Sequence, residues 1–159
     1  MSTPDTARAV ESFILREARL LDGGEFEAWL ELYAPEGIYW MPSQPHQTDP
    51  LGVPSIMYED HAILSMRVQR LLEARALVLT PMPRTTHLVS NIEVEDGDSD
   101  EITAQAAFIC VEHQGERQRM FSGRHSYQLG RDNGSFRIKM KRVDLLNCDG
   151  VHAPITIPL

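Results

Sequence analysis

Apolar residues in the first half of the chain recur at the spacing of helices. The pattern predicts a first helix that begins at Thr3-Pro4, a typical N-cap and first helical position, and ends at Gly23-Gly24. Its apolar face carries Val10, Phe13, Ile14, Ala18 and Leu21. A short second helix should follow, with Phe26, Trp29, Leu30 and Tyr33 on one face. A third is predicted from Asp60, which would cap it, to Leu72.

Between the second and third helices the pattern loses its helical period. Residues 35–37, Pro-Glu-Gly, predict a turn, and residues 38–41 predict a short strand. Residues 42–57 contain four prolines and predict a long irregular loop. Loops of that length inside compact domains tend to be functional or to lie at an interface.

The second half of the chain alternates between apolar and polar residues, which is the period of half-buried strands. Strands are predicted over residues 86–94, 102–110, 121–129 and 136–146, with Phe136, Ile138, Met140 and Arg142 alternating in the last. Turns are predicted at residues 96–98, 114–115 and 132–134, and the remaining tail should be extended. Helices first and antiparallel strands afterwards predict an α+β fold, a single domain over residues 1–159. A strongly curved sheet of this kind would wrap a helix and leave a conical cavity.

Composition narrows the function classes. A content of 42% hydrophobic and 24% charged residues is ordinary for a folded globular protein. The net charge of -8 disfavours nucleic acid as a partner. With two cysteines, no basic-then-apolar leader at the N-terminus and no apolar run of about 18 residues, we expect no disulfide framework, no signal peptide and no membrane span. The cytoplasm is therefore the expected compartment.

Two cysteine–histidine pairs superficially suggest a metal site, namely Cys110 with His113 and Cys148 with His152. Because residues 110 and 113 lie an odd number of positions apart on a predicted strand, their side chains should point to opposite faces. A Rieske site also needs a Cys-x-His half, which the sequence lacks. We therefore expect no metal on this chain.

An acid–base pocket is the most plausible chemistry that the residues themselves suggest. Seven titratable residues lie near predicted apolar segments: Tyr39, Tyr58, Asp60, His61, His87, His125 and Asp144. A conical cavity could bring an Asp and a His together for proton abstraction beside a carbonyl. The same residues could equally be caps, turn residues or buried polar groups with satisfied hydrogen bonds, and this second interpretation is favoured.

Four segments, in order and over almost the whole chain, resemble the beta subunits of aromatic ring-hydroxylating dioxygenases. The residues that carry the resemblance are 17–33 with Gly37-Ile-Tyr-Trp-Met-Pro42, Tyr58-Glu-Asp60 with Arg67-Val-Gln-Arg-Leu71, Pro83-Arg-Thr-Thr-His-Leu-Val-Ser-Asn91 with Ile92 to Val94, and Lys141-Arg-Val-Asp-Leu-Leu-Asn147. The resemblance implies the cone-shaped NTF2-like fold, with N-terminal helices packed on a strongly curved, mostly antiparallel sheet.

The resemblance also implies a function. Such beta subunits are non-catalytic and join alpha subunits in an α3β3 hetero-hexamer, in which the beta subunits form a trimer. The alpha subunit carries the Rieske [2Fe-2S] cluster and the mononuclear Fe(II), and receives electrons from a ferredoxin or reductase. On this chain the resemblance implies no cofactor and no catalytic residue, and it leaves the aromatic substrate open.

Subunit contacts are predicted for the segment from Arg84 to Asn91 and for the tail from Asn147 onward, because exposed polar residues flank apolar Leu88 and Val89. The candidate contact residues are Arg84, His87, Ser90, Asn91, Asn147 and Asp149. A plain edge strand is the alternative for the first segment. The alternative function is a stand-alone isomerase or dehydratase of the same fold that uses an Asp/His pair. Its candidate pocket residues are Tyr39, Tyr58, Asp60, His87 and Asp144.

Overall fold

The computed structural model of the protein describes residues 2–77, 81–97 and 100–159. Helix α1 spans Pro4–Asp22, and the Thr3 hydroxyl caps it by accepting a 3.2 Å hydrogen bond from the Thr6 amide. Gly24, with φ of 70°, follows the end of the helix as the sequence predicts. Helix α2 spans Phe26–Leu30. No helix in the described ranges is long and apolar enough to cross a membrane.

Helix α3 spans His61–Leu77, five residues longer than predicted. Its start is confirmed, because the Ile63 amide donates a 2.9 Å hydrogen bond to Oδ1 of Asp60. The added turn consists largely of good helix formers. Within it, Arg75 donates a hydrogen bond to the carbonyl oxygen of Gly24, 3.0 Å away, and so ties the end of α3 to the end of α1.

Six strands form one sheet in the order β2-β1-β6-β5-β4-β3. Their bounds are Tyr33–Met41 for β1, Met57–Asp60 for β2, Arg84–Asp96 for β3, Glu101–Gln114 for β4, Arg117–Asp132 for β5 and Ser135–Leu145 for β6. All neighbouring pairs are antiparallel except β1 and β6, which are parallel. The predicted α+β class, the mostly antiparallel sheet and the meander are thus confirmed.

Two predictions near the first strand are wrong. The predicted turn at residues 35–37 is a register irregularity inside β1, with Pro35 and Glu36 exposed between the paired residues Tyr33 and Ile38. Tyr33 therefore belongs to a strand and not to the second helix. Strand β2 was not predicted, because it has four residues and its conformation is set by pairing with β1, where Tyr58 lies opposite Trp40.

The hydrophobic core lies between the helices and the inner face of the sheet. Every second residue of a strand faces this core, and strand β4 shows the alternation most regularly. Its buried residues include Ile102, Ala104, Ala106, Phe108 and Cys110. Register shifts in β3, between β5 and β6, and in β1 bend the sheet. Asn91, with φ of 52°, lies at the shift in β3. The predicted turns at residues 114–115 and 132–134 are confirmed; the one at 96–98 includes residue 98, which lies outside the described residues.

Candidate functional site: a buried polar network under the helices

A buried ion pair lies between α1 and the sheet. The ammonium group of Lys141 on β6 is 2.7 Å and 2.9 Å from the two carboxylate oxygens of Glu17 on α1, and both side chains are 1% exposed. The indole Nε1 of Trp29 donates a 2.7 Å hydrogen bond to Oε2 of Glu17, and the Tyr127 hydroxyl donates a 2.8 Å bond to Oε1. One carboxylate therefore receives donors from α2, β5 and β6, which satisfies a buried charge with several partners.

The tail closes this network from the other side. Lys141 also donates to the carbonyl oxygen of Leu159, 2.7 Å away. The Leu159 amide donates a 3.0 Å bond to the hydroxyl oxygen of Tyr39. We call Glu17, Trp29, Tyr39, Tyr127, Lys141 and Leu159 the interior network.

Burial and the neighbouring charges shift the pKa values of Lys141 and of the two phenols in the interior network. Burial lowers the pKa of Lys141, and the adjacent Glu17 carboxylate counteracts that effect. Burial also raises the pKa of Tyr39 and of Tyr127, as does the charge of Glu17. The two phenols are consequently neutral hydrogen-bonding groups at physiological pH, and Tyr127 acts as a donor to the carboxylate.

A second, partly buried cluster contains an Asp–His pair. Nδ1 of His87 lies 2.6 Å from Oδ1 of Asp22, and Asp22 also accepts bonds from the His87 amide at 2.8 Å and the Thr85 hydroxyl at 3.0 Å. Burial acts to raise the pKa of Asp22, but the hydrogen bonds and charge of His87 outweigh it, so the pKa is lowered. Burial raises the pKa of nearby Cys110 to about 12. Its thiol is therefore neutral, which makes it a poor nucleophile and a poor metal ligand.

His125 stands between the two clusters. Its ring stacks on Phe108 with centroids 4.0 Å apart, and its Nδ1 is 3.3 Å from the Tyr127 hydroxyl. Burial, with a smaller effect from the Lys141 charge, lowers the pKa of His125 well below its usual value. Nε2 of His125 and Nε2 of His87 are both buried and have no hydrogen-bond partner among the described residues.

The structure does not bring the five predicted pocket residues together. Tyr39 belongs to the interior network and His87 to the Asp22 cluster. Tyr58 is exposed and packs edge-on against Trp40. Asp60 caps α3, and Asp144 pairs with Arg142 at 2.8 Å.

The two charged residues of the interior network, Glu17 and Lys141, were missed by the sequence analysis. Glu17 lies on the apolar face of α1, three residues after Ile14 and four before Leu21, so its position in the stripe was a usable signal. Lys141 was missed because the alternation of inward and outward residues in β6 was predicted in the wrong phase. Met140 and Arg142 were predicted to continue the alternation of β6, but the register shift between β5 and β6 turns Lys141 inward instead.

The predicted contact residues divide into two groups. Arg84, Ser90, Asn91, Asn147 and Asp149 are exposed. The His87 side chain, in contrast, points inward and is 1% exposed, so it is not available to a partner. The outer face of the sheet instead carries large exposed apolar side chains, with Leu88 directly opposite Ile109 and with Met120 on the adjacent strand. We call Leu88, Ile109 and Met120 the outer patch.

The residues present do not fit an iron–sulfur cluster or a mononuclear metal. A Rieske cluster takes two cysteines and two histidines. Cys110 is buried on the inner face of β4, and His113 lies at a position of opposite parity in an unbroken register. Among residues 2–77, 81–97 and 100–159, no three His, Cys, Asp or Glu side chains are grouped so that they could hold a metal ion.

The fold and the interior together define a class, the α+β proteins in which helices pack on a bent six-stranded sheet. The family model described as "Ring hydroxylating beta subunit" matches residues 16–149. This chain is 35% identical to the 2-halobenzoate 1,2-dioxygenase small subunit of Burkholderia cepacia over 93% of its length and 92% of that protein. It is 31% identical to the anthranilate 1,2-dioxygenase small subunit of Acinetobacter baylyi, over 87% and 88%. The chain therefore belongs to the family of ring-hydroxylating beta subunits, which confirms the resemblance seen in the sequence.

Solved structures agree with this assignment. The beta subunit of the benzoate 1,2-dioxygenase from Burkholderia mallei superposes with a TM-score of 0.77 at 28% identity, covering 96% of this chain and 97% of that one. The predicted NTF2-like fold class is thereby confirmed.

Proposed function

We propose that this chain is the non-catalytic small subunit of an aromatic ring-hydroxylating dioxygenase. It assembles with an alpha subunit in the cytoplasm, in an α3β3 hetero-hexamer with beta–beta contacts. The alpha subunit holds the Rieske [2Fe-2S] cluster and the mononuclear Fe(II), and receives electrons through a ferredoxin or a reductase. The membership of residues 16–149 in the beta-subunit family is the observation that carries this proposal.

The relatives also support a substrate class. The curated proteins at 31–35% identity include small subunits of dioxygenases for 2-halobenzoate, anthranilate and benzoate. All three substrates are aromatic carboxylic acids. We infer that the complex hydroxylates a benzoate-type acid at the alpha subunit.

The hydrogen-bonded interior network supports a structural role. Glu17 and Lys141 neutralise each other, and Leu159 occupies the space beside Tyr39. The alternative of a stand-alone isomerase or dehydratase would need its Asp/His pair to face a substrate. In the pair that exists, the His87 side chain is 1% exposed and the 25% exposed Asp22 carboxylate is already bonded to the His87 ring, the His87 amide and the Thr85 hydroxyl, and the family membership does not favour this alternative.

The outer patch is the proposed site of subunit contact. Exposed apolar side chains that cluster on a sheet face mark protein–protein interfaces more often than random surface. The exposed Arg84 and Ser90 lie on the same strand as Leu88 and would form the polar rim. The exposed Asn91, Asn147 and Asp149 remain proposed contacts outside this patch.

Co-expression tests the assembly. The tagged chain would be produced with the neighbouring reading frame, which should encode Cys-x-His and Cys-x-x-His, the two halves of a Rieske site. We expect both polypeptides to elute together with Rieske absorbance. When a reductase and NADH supply the two electrons, the complex should oxygenate benzoate, which neither chain does alone. Elution of the tagged chain by itself, or turnover by this chain alone, would contradict the proposal.

A matched pair of variants tests the contact surface separately. Ile109 on the outer patch is 42% exposed, and Ile63 on α3 is 41% exposed. Ile109→Asp should abolish co-elution because a charge at the centre of an apolar contact is not solvated. Ile63→Asp should co-elute as the unchanged protein does. If the two variants behave alike, the outer patch is not the contact, whatever the fate of the assembly proposal.

A further inference from the structure

Three buried glutamates share one arrangement that the assembly role does not explain. Each pairs with a cation, and each cation also donates to a backbone carbonyl oxygen of the tail. The glutamates are Glu17, Glu59 and Glu112. Their cations are Lys141, Arg67 and Arg119, respectively.

We call each of these three glutamate–cation pairs a clamp. The clamps of Arg119 and Arg67 hold the part of the tail that lies at the surface. Arg119 is held by Glu112 through a 2.7 Å bond from Nε, and donates to the carbonyl oxygens of Ala153 at 3.2 Å and Pro154 at 2.6 Å. Arg67 is held by Glu59 through a 2.9 Å bond from Nε, and donates to the Thr156 carbonyl oxygen at 3.3 Å. The third clamp is the buried Lys141, which donates to the carbonyl oxygen of Leu159.

The segment they hold, residues 153–159, is bound differently from the rest of the protein. Within the described residues it forms no backbone–backbone hydrogen bond with any strand or helix. It is attached by the three clamps, by the Leu159 amide on Tyr39 and by three buried apolar side chains. These are Ile155, Ile157 and Leu159.

We propose that residues 153–159 form a strap that opens as one unit while the sheet stays folded, and that the two arginine clamps set how often it opens. A segment without a backbone ladder can detach at a lower free energy than a central strand. The arginine side chains are 23% and 29% exposed, so water can replace their carbonyl partners when the strap lifts. Opening uncovers Lys141 and Tyr39, and through them the interior network.

The chain contains two lysines, and they make a direct test possible. Lys139 is exposed and pairs with Glu101 on the sheet surface, whereas Lys141 lies under the strap. Succinimidyl acetate acetylates exposed lysine amines, and tandem mass spectrometry locates the acetyl group on one lysine or the other. Lys139 should react at least about a hundredfold faster than Lys141, because the latter reacts from the open strap alone.

Clamp variants then separate strap opening from unfolding. Arg67→Gln combined with Arg119→Gln should raise the acetylation rate of Lys141 by at least about tenfold, since charge-assisted hydrogen bonds are lost. The rate at Lys139, and the rate at which a thiol reagent labels buried Cys110, should not change. Arg131→Gln, which breaks the exposed pair with Asp96, is the matched control and should leave Lys141 unchanged.

Two results would overturn the proposal. One is an unchanged Lys141 rate in the double variant; the other is an equal acceleration at Lys141 and Cys110, which would mean that strap and sheet open together. If the double variant does not fold, hydrogen exchange on the unaltered protein decides. The Leu159 amide should exchange at least about a hundredfold faster than amides in the middle of β4, and equal protection contradicts the strap.

Discussion

The indole of Trp29 and the carboxylate of Glu17 are joined by a 2.7 Å hydrogen bond that connects α2 to α1 inside the protein. The same carboxylate holds Lys141, so the bond also fixes both helices to β6. Because a buried carboxylate needs every one of these donors, the position of α2 depends on an ion pair formed elsewhere in the chain. Substitutions in the interior network therefore test what holds the helices on the sheet.

Lys141→Met should destabilise the protein strongly. It leaves the charge of Glu17 buried without a cation, and breaking one side of a buried pair costs about 3–5 kcal/mol. Urea unfolding followed by tryptophan fluorescence measures the change. Lys139→Met, two residues away on the surface, should stay within about 0.5 kcal/mol of the unaltered protein.

The double variant Glu17→Gln with Lys141→Met checks the cause. It removes both charges and leaves an amide whose oxygen can accept from Trp29 and whose NH2 group can donate to the Tyr127 hydroxyl oxygen. We expect it to be more stable than Lys141→Met alone by about 2 kcal/mol. A double variant less stable than either single one would show that the charges are not the source of the effect.

His125 should make stability depend on pH below neutrality. Its pKa in the folded protein is well below 6.5, the value of an unfolded histidine, so below pH 6.5 the unfolded chain binds a proton that the fold excludes. The free energy of unfolding should therefore fall with decreasing pH, by up to about 1.4 kcal/mol per pH unit.

Urea unfolding between pH 7.5 and 5.0 measures this slope, with His125→Gln as the reference that lacks it. Asp22 does not interfere, because its pKa is lowered from 3.8 and it titrates below this range. Parallel pH curves for the two proteins would show that the His125 ring takes up its proton in the fold.

Gly123→Ala should prevent normal pairing of β5 with β6. A Cβ atom at this position would lie 1.9 Å from the carbonyl oxygen of Asp144, so one strand must move. The loss of stability should be on the order of 3 kcal/mol or more, seen as a lower thermal midpoint. Ser122→Ala on the same strand is the control, and an unchanged midpoint for Gly123→Ala would contradict the close approach.

Asp22→Ala should destabilise the end of α1 against β3. It removes the acceptor of the His87 ring, the His87 amide and the Thr85 hydroxyl, and buried donors left unpaired cost about 1–3 kcal/mol each.

The sign of the acid dependence gives a second check on Asp22. A carboxylate with a lowered pKa contributes stability above pH 3.8 and loses it as the pH falls through the folded value, so the difference from the variant should shrink in acid. Asp5→Ala, in the first turn of α1, is the control and should cost less than about 1 kcal/mol.

Features set by neighbouring residues were predictable from the sequence. Thr3 and Asp60 cap their helices, and Asn133-Gly134 turns the chain between β5 and β6, because each acts within a few residues of itself. The family resemblance, which rests on the order of whole segments, was also visible.

Features that depend on partners far away in the sequence could not be predicted from it. Glu17 and Lys141 are 124 residues apart, and no local pattern specifies that they meet. His87 could be assigned to the pocket or to a contact surface from its sequence, and only the position of Asp22 decides that it faces inward.

The parallel pairing of β1 with β6 has a consequence for synthesis on the ribosome. Ile38 pairs with Met140, so β1 cannot pair with β6 until about a hundred more residues have been synthesised. At 5–20 residues per second this delay is roughly 5–20 s. During that interval the edge of β1 that pairs with β6 remains unpaired in the nascent polypeptide, where chaperones have their first opportunity to bind.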